Sequence, residues 1–127
     1  MANESTHTST IELDGDIGEV KIADEVIAII AGLAASEVKG VASMAGNATR
    51  DLIEKLGVRT LSKGVKVTVE DRKILVDINV NLRYGYNVPE TSSEIQEKVK
   101  TTVETMTGME VTGVNIKIVN VVMDNEK

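Results

Sequence analysis

The sequence predicts an α+β domain: a mainly antiparallel sheet with two to three helices packed on one face, including a split β-α-β unit. Three observations carry that expectation. Gly64 to Glu70 and Lys73 to Arg83 alternate strictly, placing Val65, Val67 and Val69, then Ile74, Val76, Ile78, Val80 and Leu82, on one face. One apolar and one polar face describe strands covered by helices on one side and wet on the other. Val26 to Ser36 carries no charge, and Ile95, Val99, Val103 and Met106 form an apolar stripe at helical spacing. The core must also be aliphatic, because Tyr84 and Tyr86 are the only aromatic residues, and a large β-branched share favours a sheet.

The elements follow in order. Met1 to Asp16 is polar, acidic and without hydrophobic period, which predicts a disordered tail over residues 1–16. Ile17 to Ile22 alternates as a short strand. Asp24 and Glu25 then suit the positive end of a helix dipole, and the helix runs to about Val38, where Lys39-Gly40 stops it. Val41 to Met44 reads as a short strand, and Ala48 to Leu56 as a short helix with Leu52, Ile53 and Leu56 inward. Val58 to Gly64 is a loop, and Asp71-Arg72 turns a hairpin between the two alternating runs. Pro89 sits in the first turn of a helix over Glu90 to Met106, which Gly108 ends. Val111 to Val122 is the last strand, and its end (Val119, Val121, Val122) is apolar on both faces. Placing the Gly64–Glu70 strand between the strands at Lys73 and Val111 gives the split unit. Residues 17–123 thus make a single domain, with a short polar C-terminus at 124–127, which fits one core in a chain of 127 residues.

Composition excludes several chemistries. Without cysteine there are no disulfides, thiolate nucleophiles or thiolate metal sites. The single histidine, His7, lies in the polar tail, where no rigid shell would orient it as a base or ligand. Met1 to Thr10 has no basic and apolar regions of a secretory signal. The longest uncharged apolar run, Val26 to Ala35, is half of the roughly 20 residues that a bilayer span needs. No phosphate loop, paired-carboxylate cleft or complete calcium loop appears, so the expectation is a binding protein with no cofactor, no metal and no catalytic residues.

Three surfaces are candidates for contact. The broad apolar helix is either a core helix or a partner and oligomer surface through Ile27, Ile30, Ala31 and Ala34. Charge is segregated: residues 1–38 carry eight acids and one base, 39–83 nine bases and five acids, and 84–127 seven acids and four bases. The basic middle offers an anion or acidic-partner patch at Arg50, Lys55, Arg59, Lys63 and Lys66, or simply solubilising charge. With a net charge of −6 and almost no aromatics to stack on, the chain is not a general nucleic-acid binder. Tyr84 and Tyr86 form a candidate binding loop, or a seal over the sheet end.

Several segments together resemble the bacterial alkaline-shock (general and envelope stress response) protein family. Gly18-Glu19-Val20-Lys21-Ile22-Ala23-Asp24-Glu25-Val26-Ile27-Ala28-Ile29-Ile30-Ala31-Gly32 is similar to its opening, followed by Glu37-Val38-Lys39-Gly40-Val41. Leu61-Ser62-Lys63-Gly64-Val65-Lys66-Val67 resembles its central motif. Tyr84-Gly85, Val88-Pro89, Val99 to Val103 and Met106-Thr107-Gly108 resemble its third block, and Val114-Asn115-Ile116 its closing strand. The ordered set covers about residues 17–122. The resemblance implies a non-enzymatic, cytoplasmic protein of mainly Gram-positive bacteria that supports cell-envelope homeostasis or the general stress response through protein–protein contacts. Some members are held at the inner face of the membrane by a small membrane-anchored partner and self-associate. The chain departs from larger members in having almost no sequence after Val122. The alternative is a small nucleic-acid-binding or metabolic regulatory protein of the cytosol, and the basic loop from Arg59 to Lys66 motivates it.

Overall fold

The computed structural model describes residues 8–12, 18–44 and 63–123. In chain order these form β1 (Thr8–Glu12), β2 (Glu19–Ala23), α1 (Asp24–Ser36), β3 (Val41–Met44), β4 (Val65–Glu70), β5 (Lys73–Arg83), α2 (Val88–Thr107) and β6 (Glu110–Val122). The α+β class holds, with two helices among the described residues. The predicted Ala48–Leu56 helix, His7 and the 124–127 terminus lie outside them.

β5 organises the main sheet. One of its edges is shared end to end by β4, antiparallel from Glu70↔Lys73 to Val65↔Ile78, and β3, antiparallel over Val41↔Leu82 to Met44↔Val80. Its other edge is filled by β6, parallel from Lys73↔Glu110 to Arg83↔Val122. The split β-α-β unit is therefore corrected: β5, α2 and β6 form an unsplit unit with its two strands adjacent. The turn explains why. Asp71 and Arg72 both adopt positive φ, 51° and 65°, the two-residue hairpin geometry whose twist matches the flanking strands. That turn folds β4 directly onto one edge of β5 and leaves the other edge for β6.

The expected tail is also corrected. Thr8–Glu12 is a strand, paired antiparallel with β2 from Thr8↔Ala23 to Glu12↔Glu19. Threonine and isoleucine favour extended backbone, and a neighbouring strand was available to pair with them.

Both helices cover one face of the sheet and touch each other, α1 over β4 and β3, α2 over β6. The core beneath them is Ile74, Val76, Ile78, Val80 and Leu82 of β5, all essentially inaccessible, with Ile27, Ala31, Ala34 and Ala35 of α1 and Ile95, Val99 and Val103 of α2. Each such Val, Leu or Ile contributes about 1.5–3 kcal/mol by burial. The α2 stripe needs one change. Met106 points to solvent, and Thr107 takes the inward place, extending the i, i+4 row of Thr91, Ile95, Val99 and Val103. The hydroxyl of Thr107 is satisfied there, donating to the Val103 carbonyl (2.7 Å) and accepting from the Met109 N–H (3.1 Å). Asn87 caps the start of α2 by accepting from the Glu90 N–H at 2.8 Å, and Gly108 ends it at φ 73°.

α2 also fixes the start of β6. The Val111 N–H donates to Glu104 Oε2 (2.9 Å), and Lys100 Nζ donates to the same oxygen (3.0 Å). These bonds, that from Val111 first, hold the Glu104 pKa below its ordinary 4.5 against the opposing effect of desolvation. A carboxyl lowered in the folded state favours folding above its unfolded pKa, and that contribution fades as pH falls through the folded value. Glu104→Gln is therefore expected to lower stability at pH 7 and to cost progressively less as pH falls below the ordinary 4.5, where the unfolded carboxyl protonates first, and on through the lower folded value. Urea unfolding at neutral and acid pH measures this, and an equal cost at both would contradict it.

Candidate interaction surfaces

On α1 every side of the helix is apolar, so only the packing distinguishes its faces. Ile27, Ala31 and Ala34 lie on the sheet side with no more than 2% exposure. As a surface for a partner these three are corrected to core, because the sheet and α2 already occupy that side. Ile30 is half-buried at the border. The outer side presents Val26 and Leu33, 46% and 41% exposed, with Ile29 and Ile30 packed between them and the core. Val26, Ile29, Ile30 and Leu33 follow the i, i+3, i+4, i+7 spacing of one helix face, so they form a continuous aliphatic stripe. A polar residue would be expected on that face of a helix whose outer side meets only water.

Of the basic patch, Arg50, Lys55 and Arg59 lie outside the described residues. Lys63 and Lys66 are exposed, and Lys66 stands opposite Asp77 in the sheet register. The two tyrosines separate. Tyr86 is seated on Gly40, so close that a Cβ on Gly40 would lie 2.8 Å from its ring. The same end of β5 is tied by the Arg83 N–H to the Gly40 carbonyl and by the Tyr84 N–H to the Val122 carbonyl, both 2.8 Å. Tyr86 thus closes the sheet end, whereas the Tyr84 side chain stands in solvent.

The far face of the sheet is polar. Asn115 Nδ2 donates to Asp77 Oδ1 (2.8 Å) and Asn81 Nδ2 to Ser43 Oγ (2.9 Å), with Lys66, Thr68, Asn79 and Lys117 exposed around them. The outer side of α2 holds a shallow groove of about 380 Å³ lined by Glu94, Glu97, Lys98, Thr101 and Thr102. All five come from one helix, and Lys98 pairs there with Glu37 of the α1 cap at 3.6 Å. No group of three or more metal-ligating side chains occurs among the described residues, and no described helix is long and apolar enough to cross a membrane.

A family profile described as the alkaline-shock protein 23 family, cell envelope-related function, matches residues 12–123, spanning every element from β2 to β6. The chain belongs to the alkaline-shock family. Family relatives match along nearly all of it. The uncharacterized protein YqhY of Bacillus subtilis strain 168 is 39% identical over 126 residues, covering 99% of this chain and 87% of that protein. YloU of the same organism is 37% identical over 118 residues, 91% of this chain and 98% of that one. A Streptococcus pyogenes protein named stress response regulator gls24 homolog is 31% identical over 105 residues, 82% of this chain but 59% of its own length. No solved structure matches the chain.

Proposed function

We propose that this alkaline-shock family protein is a non-enzymatic scaffold that supports cell-envelope homeostasis or the general stress response through protein–protein contacts. The observation that carries the reading is the outer stripe of α1. Val26 and Leu33 are exposed, and Ile29 and Ile30 lie half-buried between them and a core that Ile27, Ala31, Ala34 and Ala35 already fill. Exposed aliphatic surface in a regular row is what a helix or groove of another protein covers. The envelope-related family supplies the setting, and the gls24 homolog supplies the link to stress. In this reading the protein is cytoplasmic and reaches the inner face of the membrane by binding a small membrane-anchored protein. Lys63 and Lys66, with Arg50, Lys55 and Arg59, form a separate proposed surface for an acidic stretch of a partner, with Lys66 on the open sheet face away from the α1 stripe, and the exposed Tyr84 is a further proposed contact.

Separation of host lysate into membrane and soluble fractions tests this. The protein is expected in the membrane fraction at physiological salt, together with a membrane-anchored protein, and in the soluble fraction when that partner is deleted. Its presence in the soluble fraction, alone, from unperturbed cells would overturn the reading.

A further inference from the structure

β6 pairs along one edge only among the described residues, and its other edge is divided in two. Over the first part, α2 covers the backbone. Glu104 accepts from the Val111 N–H (2.9 Å), Lys100 donates to the Val111 carbonyl (3.3 Å) and Gln96 donates to the Val114 carbonyl (2.9 Å). Beyond Val114 that cover stops. Backbone groups alternate between the two edges of a strand, so Val114 facing outward turns Ile116 and Ile118 outward as well. At the far end the Val122 carbonyl faces the β5 side, where it accepts from the Tyr84 N–H, and this turns Val121 outward. The Val121 N–H donates to the neighbouring Asn120 Oδ1, at 2.8 Å. Between the two ends, the register steps from Val80↔Ile118 to Asn81↔Asn120, so Val119 is an extra, bulged residue. Val119 and Val121 are 45% and 48% exposed. Proteins normally block such edges with charge, proline, a bulge or a covering element. Among the described residues α2 covers the first half of β6, and the second half carries only Lys117, on the open face, and the bulge at Val119.

We propose that the open half of β6 pairs with the same strand of a second copy, antiparallel, about a two-fold axis between Ile118 and Val119. Ile116 then stands opposite Val121 of the second copy, Lys117 opposite Asn120 and Ile118 opposite Val119, each contact made twice by symmetry. Backbone direction, side-chain face and charge agree on this register, the first two through the same alternation. Ile116 and Val121 both turn their backbone groups outward, as residues that exchange hydrogen bonds must. Ile116 and Val121 also share the helix-covered face, being partners of the core residues Ile78 and Leu82, while Lys117 and Asn120 share the open face as partners of Asn79 and Asn81. Residues five apart on a regular strand lie on opposite faces, and the bulge at Val119 is what makes the strand self-complementary. Charge agrees. A register centred on Lys117 would set two ammonium groups opposite each other, which is unfavourable, whereas this one sets each Lys117 against an amide oxygen. The pairing covers the exposed side chains of Val119 and Val121, and its small size makes it a weak, concentration-dependent dimer.

The inference deepens the protein-contact reading by naming one contact, and it is measured separately. Sedimentation of the purified full chain, from about micromolar to about millimolar concentration, is expected to show a monomer–dimer equilibrium. Hydrogen exchange at the Ile116 and Ile118 amides is expected to slow as the dimer forms. Asn120→Lys sets a second ammonium against Lys117 at both symmetric contacts and is expected to weaken the dimer about tenfold. Adding Lys117→Glu to that variant is expected to restore it, and Leu33→Asp, on α1, to leave it unchanged. A monomer throughout, or a dimer indifferent to Asn120→Lys and unprotected at Ile116 and Ile118, would overturn the proposal. A chain that fails this test yet still travels with its membrane partner leaves the envelope reading standing. A dimer that never reaches the membrane fraction does the reverse.

Discussion

Replacing Gly40 with alanine is expected to destabilise the domain by about 1–3 kcal/mol through its backbone alone, and further through Tyr86. Gly40 sits at φ 102°, where a side chain is strained whatever its surroundings. A Cβ there would meet the Tyr86 ring at 2.8 and 2.9 Å and Thr91 Cγ2 at 3.3 Å. The ring cannot simply move aside without cost, because the Arg83 N–H bonds the Gly40 carbonyl and holds the two segments together. Tyr86→Ala in the native background loses only a partly exposed ring and is expected to cost less than Gly40→Ala. In the double variant the steric part disappears and the backbone part remains, so the combined cost falls below the sum, by about 0.5–3 kcal/mol. Urea unfolding of the four proteins measures the difference. Additive costs would mean that the ring is not what excludes a side chain at Gly40.

This contact shows how far the sequence can be read. Lys39-Gly40 reads as a helix end because glycine tolerates the left-handed backbone, but α1 ends earlier, at Ser36 with Glu37 as a right-handed cap, and Gly40 uses its positive φ in the turn into β3. That the same glycine also seats Tyr86, forty-six positions on, is a property of the closed sheet and has no local signature. The alternation of β4 and β5 identified the inward face residue by residue, since period two assigns faces. It does not assign neighbours, which is why the split unit was expected and the adjacent β5–β6 pair was found. Periodicity was also ambiguous at the end of α2, where Met106 and Thr107 compete for one inward place. The threonine takes it because its hydroxyl can satisfy the helix end. For α1 the pattern is nearly silent: a helix apolar over most of its circumference is too weakly amphipathic to say which side meets the sheet. The apolar end of β6 was visible in the sequence, but its meaning depends on a bulge and an edge that only the fold reveals.

The two sides of α1 make the second large prediction, because the same substitution on each should give opposite results. Ile27→Asp places a carboxyl where no surface is exposed and removes a side chain from the centre of the core. The loss of burial and the unsatisfied polar group together are expected to cost about 4 kcal/mol or more. Against the roughly 5–15 kcal/mol that holds a small domain folded, that is enough to leave the chain largely or marginally unfolded. Leu33→Asp lies on the outer side of the same helix, two turns along, at 41% exposure. It gives up partial burial and some helix propensity and is expected to cost about 1 kcal/mol. Circular dichroism melts should therefore separate the two sharply, with Leu33→Asp retaining a cooperative transition close to that of the native chain. The functional readout should then reverse the ranking of interest. A folded Leu33→Asp protein is expected to leave the membrane fraction, because a charge within the Val26, Ile29, Ile30 and Leu33 stripe, at its exposed end, cannot be covered by an apolar partner without losing its water. If that variant stays folded and still travels with the membrane, the stripe is not the contact. If Ile27→Asp melts as well as Leu33→Asp, the inner and outer sides of α1 have been assigned the wrong way round.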